Sequence, residues 1–281
     1  MNRQQIARDT LAALQTGSYL TAHGQQVEIG AQASRCVEQT RCYSPESLSQ
    51  IQGQVLASPL AFAYTTFEVA NETTLEGCAH LVTEGGYERV GVLNFASARH
   101  PGGGFLDGAQ AQEESLARSS GLYPSLIACP DYYRVNRQTR TALYTDWMIY
   151  SPACPVFRTD QGGWLETPYR VDFLTSPAPN AGAIRQNEPE RVGDIEPTLH
   201  ARASKVLALA ASQGCEVLVL GAWGCGVFAN DPQVVAAVFG TALHATGAFW
   251  RRFQKVRFSV WDRSSAQATF KAFEAVFGGP S

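Results

Sequence analysis

Short apolar runs alternate with longer amphipathic segments from residue 65 to the end of the chain, and this alternation predicts an α/β fold. The apolar runs are rich in β-branched and aromatic residues and are bounded by turn residues, as is typical of buried strands. The longer segments repeat apolar residues every three or four positions, which is the periodicity of a helix with one buried face. We therefore predict a mixed β-sheet between two layers of helices. The predicted strands cover residues 65–69, 90–95, 143–150, 170–175, 217–220 and 256–261, and the predicted helices cover residues 74–84, 112–120, 196–213, 231–243 and 266–277.

The pattern is weaker near the start of the chain. Ile6 and Leu11 lie within a segment of helical periodicity, and Ser47 marks the start of a second short helix. We therefore expect residues 1–64 to form an N-terminal helical extension that packs on a main domain of residues 65–281.

Composition and charge narrow the class of protein. The chain has 281 residues, of which 45% are hydrophobic and 17% are charged, so it can bury a sizeable core. Its formal net charge of -3 argues against a protein that binds nucleic acid by bulk electrostatics, and we expect no direct DNA binding. A polyanionic ligand held at one site by backbone N–H groups remains compatible with this charge. No apolar run reaches the ~18–20 residues that span a bilayer, so we expect no membrane association.

The cysteines indicate a reducing environment. The chain has seven of them, an odd number, and no two are spaced as a CxxC pair. This pattern favours neither a disulfide framework nor a zinc site, and we expect no metal and no cofactor. The first twenty residues are polar and amphipathic and lack the apolar segment of a secretory signal. Together these features predict a cytoplasmic location.

The clearest chemical signal lies between the predicted strand at residues 90–95 and the predicted helix at residues 112–120. Three consecutive glycines, Gly102–Gly104, stand in the loop, where the absence of Cβ atoms lets the backbone approach a ligand closely. Glu113 and Glu114 lie at the start of the helix, at the positive end of its dipole. Ligands of open α/β sheets bind beyond the carboxyl ends of the strands, so we predict a site for a polar ligand here. The alternative interpretation is a flexible turn followed by two solvated acids.

A second glycine-containing loop, Gly221–Phe228, follows the predicted strand at residues 217–220 and precedes the predicted helix at residues 231–243. Successive backbone N–H groups in such a loop can form a concave site for an anion. The sequence therefore predicts two ligand-binding loops, each after a buried strand.

The two loops together resemble the signature motifs of microbial-type poly(ADP-ribose) glycohydrolases. The first motif extends from Leu93 to Tyr123 and contains the three glycines and Gln112-Glu113-Glu114, and the second is similar to the diphosphate-binding loop of that family. The resemblance covers the chain from about residue 65. It implies a macrodomain-like three-layer fold and an enzyme that hydrolyses the ribose–ribose O-glycosidic bonds of poly(ADP-ribose) and releases ADP-ribose.

The resemblance also implies roles for individual residues. Glu114 is the general acid, acting through an oxocarbenium-like transition state, and Glu113 orients the ribose through its hydroxyl groups. We expect Glu114 to be buried with a raised pKa, which would suit a general acid. We expect the diphosphate to contact the backbone of the second loop and the ring of Phe228 to pack on the ribose. The residues assigned to substrate binding are Asn94, Gly102, Gly103, Gly104, Gln112, Gly224, Cys225, Gly226, Val227 and Phe228.

Several of these residues have a second interpretation. Phe228 is alternatively a core residue, and Asn94 alternatively caps the end of a strand. Cys225 is alternatively a nucleophile, which we do not favour because no histidine is near it in the sequence. Three aromatic residues are candidates for stacking on adenine, with core packing as the alternative: Tyr123, Tyr150 and Phe173.

Two other functions compete with polymer hydrolysis. One is a non-catalytic ADP-ribose-binding macrodomain, and the other is a hydrolase of mono-ADP-ribosylated proteins. The intact Gln112-Glu113-Glu114 motif favours an enzyme, because a binding module needs no acid. The expected partners are poly(ADP-ribose) or ADP-ribosylated proteins, with ADP-ribose as the product.

Overall fold

The sheet lies in the middle of the molecule because its central strands are apolar on both faces. Alternate residues of the strand Val217–Leu220 enter different hydrophobic clusters, the two valines one cluster and the two leucines the other. A strand that is buried on both faces requires a layer of helices on each side. The computed structural model, which describes residues 2–279, has this arrangement, and the predicted mixed sheet between two helical layers is confirmed.

Residues 2–279 contain eleven α-helices and nine β-strands. The helices are α1 (Arg3–Thr16), α2 (Gly30–Gln39), α3 (Pro45–Ala57), α4 (Thr74–Ala79), α5 (Gln112–Ser119), α6 (Leu122–Ile127), α7 (Pro130–Gln138), α8 (Ala181–Asn187), α9 (Ile195–Ser212), α10 (Pro232–Leu243) and α11 (Ala268–Phe277). The strands are β1 (Ser18–Leu20), β2 (Gln26–Glu28), β3 (Arg41–Tyr43), β4 (Thr66–Ala70), β5 (Val90–Phe95), β6 (Met148–Arg158), β7 (Trp164–Ser176), β8 (Val217–Leu220) and β9 (Lys255–Ser259).

The order of the strands brings the two glycine-containing loops together. Seven strands form one sheet in the order β3-β6-β7-β5-β8-β9-β4, and β1 pairs with β2 in a separate hairpin. Strands β7, β5, β8, β9 and β4 are parallel, whereas β6 and β3 form an antiparallel edge. Strands β5 and β8 are direct neighbours, with Val92 opposite Val219. Because parallel strands end at the same edge of a sheet, the loops after β5 and β8 lie side by side.

The two helical layers have separate hydrophobic clusters. The cluster on one face contains buried residues of α3, α8, α9, α10 and α11, and the cluster on the other face contains buried residues of α2, α4, α5, α6 and α7. None of the helices within residues 2–279 is both long and apolar enough to cross a bilayer.

The first 64 residues pack along the main sheet. Strand β3 pairs with β6, with Cys42 opposite Ile149, so this segment supplies one edge of the sheet. Helix α1 lies against α5, where Thr10 Oγ1 donates a 2.6 Å hydrogen bond to the Arg118 carbonyl. The segment is largely helical, as predicted, but it also contains the β1–β2 hairpin. The division of the chain into two domains at residue 64 stays a prediction.

The predicted strand at residues 143–150 is wrong in position. Strand β6 starts at Met148 and continues through Pro152 and Pro155, residues that usually disfavour the interior of a strand. They are tolerated here because β3 covers only the first three residues of β6, and a β-bulge interrupts the pairing of β6 with β7.

Candidate active site

The loop after β5 folds back onto the start of helix α5. Gly102 and Gly103 both adopt positive φ, at 68° and 58°, which is strained for residues that carry a Cβ. This fold brings the glycine backbone against the two carboxylates at the start of α5. The structure therefore brings the triple glycine together with Glu113 and Glu114.

Glu113 is the buried carboxyl group of the pair, with only 2% of its surface exposed. The Ser97 backbone N–H donates to Oε2 at 2.7 Å, and Asn94 Nδ2 donates to Oε1 at 3.3 Å. Burial raises the pKa of Glu113 to about 8, and the neighbouring charge of Glu114 adds to this effect, although the two hydrogen bonds oppose it. Glu113 is thus held in one orientation by donors on both of its oxygens.

The pKa of Glu113 leads to a prediction about stability. A carboxyl with an ordinary value of 4.5 that rises to about 8 on folding binds its proton more tightly in the folded state. Its contribution to stability is therefore complete below about pH 4.5 and is lost as the pH rises through about 8. We expect the free energy of unfolding of the wild type, relative to Glu113→Gln, to fall by up to about 1.4 kcal/mol per pH unit across this window.

Urea unfolding of both proteins at pH 5, 6.5 and 8 measures this difference. Glu88→Gln, at an exposed position, is the control for removing one carboxyl group. A difference between wild type and Glu113→Gln that is independent of pH would show that Glu113 ionises normally.

Glu114 has a different environment. It is only partly buried, so the expectation of a buried Glu114 was wrong, and full burial falls on its neighbour. The Gly104 backbone N–H donates to Oε1 at 3.0 Å. Within the described residues, Oε2 receives no hydrogen bond from the protein. Glu114 therefore has one anchored oxygen and one oxygen free to meet a ligand.

Gly103 sets the space in which Glu114 lies. A Cβ at this position would lie 2.3 Å from Glu114 Oε1 and 3.4 Å from Glu113 Oε2. At Gly102, a Cβ would lie 2.9 Å from the ring of Phe105, and at Gly104 it would lie 3.0 Å from Ala109 Cβ. The glycines are therefore required by close packing against the acids and against the loop itself, in addition to any ligand.

Gln112 connects helix α5 to strand β5. Its Nε2 donates to the Leu93 carbonyl at 2.8 Å and to Thr74 Oγ1 at 3.2 Å, and its Oε1 accepts from the Phe95 N–H at 2.8 Å. Both ends of the amide are thus engaged by the protein. The structure supports a role in positioning the two glutamates, and a direct contact of Gln112 with substrate stays a prediction.

Asn94 lies at the end of β5, fully buried beneath the acids. Besides its bond to Glu113, Nδ2 donates to Thr175 Oγ1 at 3.1 Å. Among the described residues, its Oδ1 is buried without a hydrogen-bond partner. A buried carbonyl without a donor is costly, and a ligand hydroxyl would satisfy it. A contact of Asn94 with a ligand stays a prediction.

The loop after β8 is fixed at both ends. Trp223 is fully buried, and its Nε1 donates to the Ser176 carbonyl at 3.1 Å. Asn230 Nδ2 donates to the carbonyls of Pro179 and Gly224, at 2.8 and 3.1 Å. Gly224 has a φ of 72°, and a Cβ there would lie 2.5 Å from both Ala178 Cβ and Asn230 Nδ2. These contacts hold the two ends of the loop in place.

The middle of the loop presents unused donors. Within residues 2–279, the backbone N–H groups of Gly226, Val227 and Phe228 donate to no protein acceptor. Val227 is 82% exposed, and a Cβ on Gly226 would meet no atom within 4 Å. Three successive free N–H groups in an open loop are available to an anion, and their contact with a diphosphate stays a prediction.

Phe228 is the last of the three residues with a free backbone N–H group. It is partly buried, and its ring lies 5.9 Å from the ring of Tyr144, centroid to centroid. Cys225 is mostly enclosed, and burial raises the pKa of its thiol to about 12, so the thiol is protonated at neutral pH. A nucleophilic role for Cys225 is therefore not supported.

Several contributing residues escaped the sequence analysis. Ser97, Thr175 and Tyr144 contact the site through a backbone N–H, a hydroxyl and an aromatic ring. Ser97 lies inside the first motif but contributes through its backbone N–H, which its residue type does not reveal, and Tyr144 and Thr175 lie outside both motifs. The aromatic candidates for adenine stacking behave differently: Tyr150 and Phe173 are buried in the core, and Tyr123 packs on Phe105 at 4.7 Å.

The comparisons with known proteins identify the family and agree with the fold. A family model described as microbial-type PARG, catalytic domain, matches residues 7–159, where PARG stands for poly(ADP-ribose) glycohydrolase. The solved structure of poly(ADP-ribose) glycohydrolase from Thermomonospora curvata is 48% identical with a TM-score of 0.93, over 98% of this chain and 99% of that chain. The structure of the same enzyme bound to the inhibitor ADP-HPD is 47% identical with a TM-score of 0.90, over 97% of this chain and 98% of that chain.

A third structure, poly(ADP-ribose) glycohydrolase from Deinococcus radiodurans in complex with ADP-ribose, is 45% identical with a TM-score of 0.82, over 86% of this chain and 96% of that chain. A search of the curated proteins finds no match. The family match covers more than half of the chain and includes the glycine loop and both glutamates. The chain therefore belongs to the family of microbial-type poly(ADP-ribose) glycohydrolases.

Proposed function

We propose that this protein hydrolyses the ribose–ribose O-glycosidic bonds of poly(ADP-ribose) and releases ADP-ribose. The observation that carries the proposal is the meeting of two features at one edge of the sheet. One is the pair Glu113 and Glu114 beneath the glycine loop, and the other is the set of free N–H groups at residues 226–228. The first suits acid catalysis at a sugar, and the second suits a diphosphate.

Binding begins with the diphosphate and the terminal ribose. The N–H groups of residues 226–228 bind the diphosphate, and the ring of Phe228 packs on the ribose. The ribose hydroxyls donate to Glu113 and to the unpaired Oδ1 of Asn94. Because protein donors already fix Glu113, it orients the sugar without moving.

Glu114 then supplies the proton. In the proposed complex the leaving ribose oxygen meets the free Oε2, which transfers a proton to it as the glycosidic bond breaks. The bonding electron pair leaves with that oxygen, and an oxocarbenium-like centre develops at the anomeric carbon. Water adds to this carbon, its proton returns to the Glu114 carboxylate, and the products are ADP-ribose and a polymer shortened at that bond.

Phe228 gives a prediction that separates a substrate contact from core packing. We expect Phe228→Ala to lower kcat/KM on poly(ADP-ribose) by ~10²-fold, because misplacing a sugar by about 1 Å costs that much. Phe270→Ala is the matched control, since Phe270 is also partly buried against the same core but lies on helix α11. Turnover and thermal unfolding are measured on the same preparations. A large fall in melting temperature with normal specific activity would assign Phe228 to the core.

The activity itself is tested with labelled substrates. Incubation with poly(ADP-ribose) and, separately, with mono-ADP-ribosylated protein distinguishes the three candidate functions by the release of free ADP-ribose. We expect release from the polymer, inhibition by added ADP-ribose, and unchanged rates in EDTA, because backbone N–H groups and carboxyl groups supply the chemistry. Binding without release would indicate a non-catalytic module. Release only from the modified protein would indicate a mono-ADP-ribosyl hydrolase.

A further inference from the structure

A row of side chains begins at Phe228, the last of the three residues with a free N–H group. The ring of Tyr144 follows Phe228, and the guanidinium carbon of Arg99 lies 5.9 Å from the centre of the Tyr144 ring. Arg137 comes next, with Nη1 donating to the Arg99 carbonyl at 2.9 Å. Both arginines are exposed. The row therefore ends in two cations at the rim of the site.

The middle of this row is held rigidly. Tyr144 has a φ of 59°, a conformation that few residues other than glycine adopt. The buried side chain of Arg202 holds this turn through the carbonyls of Leu143 and Tyr144 and through Asp146. Arg99 thus lies beside a fixed ring, which limits the conformational entropy that its guanidinium loses on binding.

The two cations are not neutralised by the protein. Among residues 2–279, neither Arg99 nor Arg137 forms an ion pair with a carboxylate. Two acids of the same region are engaged elsewhere: Asp131 pairs with Arg134, and Glu188 accepts from the Ala142 N–H at 2.7 Å. Because Arg137 contacts the backbone of Arg99, the two cations form a local positive patch on a chain whose net charge is -3.

The position of Arg99 relates the row to the scissile bond. Arg99 lies two residues after Ser97, which donates to Glu113, and three residues before Gly102. The terminal ADP-ribose unit fills the space from the free N–H groups to Glu114. Arg99 belongs to the loop between β5 and α5 that holds the glycines against Glu114, and the rest of the polymer begins beyond the bond at Glu114. A polymer of ADP-ribose carries its next charge there as a diphosphate.

We propose that Arg99 and Arg137 bind the diphosphate of the ADP-ribose unit next to the scissile bond, on the part of the polymer that leaves. This rests on the proposed function. Guanidinium groups suit this ligand because their planar donors match phosphate oxygens. The two arginines would therefore favour a polymer over a substrate that carries a single ADP-ribose unit on a neutral leaving group.

The test measures kcat/KM of the Arg99→Gln/Arg137→Gln double variant on two substrates. One is poly(ADP-ribose), and the other is the p-nitrophenyl glycoside of ADP-ribose, which has the same bond type but no second diphosphate. We expect kcat/KM on the polymer to fall about tenfold at low salt and to depend less steeply on salt concentration, as for the loss of phosphate contacts. We expect kcat/KM on the glycoside to stay unchanged. Arg134→Gln is the control, because Arg134 lies on helix α7 with Arg137 but is paired with Asp131.

Equal losses on both substrates would overturn the proposal and assign the arginines to the shape of the loop. Unchanged cleavage of the polymer at every salt concentration would also overturn it. Failure of the proposed function gives a different result, because the wild type would then release no ADP-ribose from the polymer.

Discussion

Glu114→Gln is expected to lose nearly all hydrolysis of poly(ADP-ribose), by ~10²–10⁴-fold in kcat, while it binds ADP-ribose with nearly unchanged affinity. The amide keeps the size of the side chain and can still accept the hydrogen bond from the Gly104 N–H. It has no acidic proton to transfer to the leaving ribose oxygen. Single-turnover kinetics on the polymer and calorimetric titration with ADP-ribose measure the two quantities on one preparation.

The matched control for this variant is Asp107→Asn, at an exposed acid in the same loop. It removes one negative charge near the site and leaves the two glutamates in place, so its turnover should be close to that of the wild type. Wild-type turnover by folded Glu114→Gln would show that Glu114 is not the general acid. Loss of ADP-ribose binding would instead indicate a structural role.

Gly103→Ala is expected to lower turnover by ~10²-fold or more with a smaller effect on folding. The new Cβ would lie 2.3 Å from Glu114 Oε1, so either the acid or the loop must move. The φ of 58° adds a cost of ~1–2 kcal/mol for any residue with a Cβ. Turnover and urea unfolding of the variant separate the displacement of the acid from the strain of the backbone.

Gly86→Ala is the matched control for the strain. Gly86 has a φ of 70°, and a Cβ there would meet no atom within 4 Å. It therefore shares the conformational cost without the clash. A loss of activity in Gly103→Ala no greater than that in Gly86→Ala would show that the acid does not depend on this close approach.

The central strands could be predicted from the sequence because their environment is simple. Strands β5 and β8 were predicted with the bounds that the structure gives, since each is an apolar run buried on both faces and followed by turn residues. Strand β6 could not be placed, because its prolines are tolerated only where β3 leaves it unpaired. Strand β3 is three residues long, and only tertiary pairing identifies it as part of the sheet.

The site could be predicted in its motifs but not in the environment of each acid. Adjacent residues of a helix point about 100° apart, so one of two neighbouring acids can be buried while the other faces the ligand. The sequence contains no signal for which one is buried, and the structure shows that it is Glu113. The full engagement of the Gln112 amide by β5 and α4 likewise depends on how three segments pack.

The most direct test of the account is the dependence of the Glu114→Gln defect on the leaving group. A series of aryl glycosides of ADP-ribose provides leaving groups that range from phenols of high pKa, whose phenolates are basic, to p-nitrophenol, which departs without a proton. General acid catalysis by Glu114 predicts a defect that is large for poly(ADP-ribose) and for phenols of high pKa and that nearly disappears for p-nitrophenol. A defect of the same size for every leaving group would contradict proton transfer from Glu114.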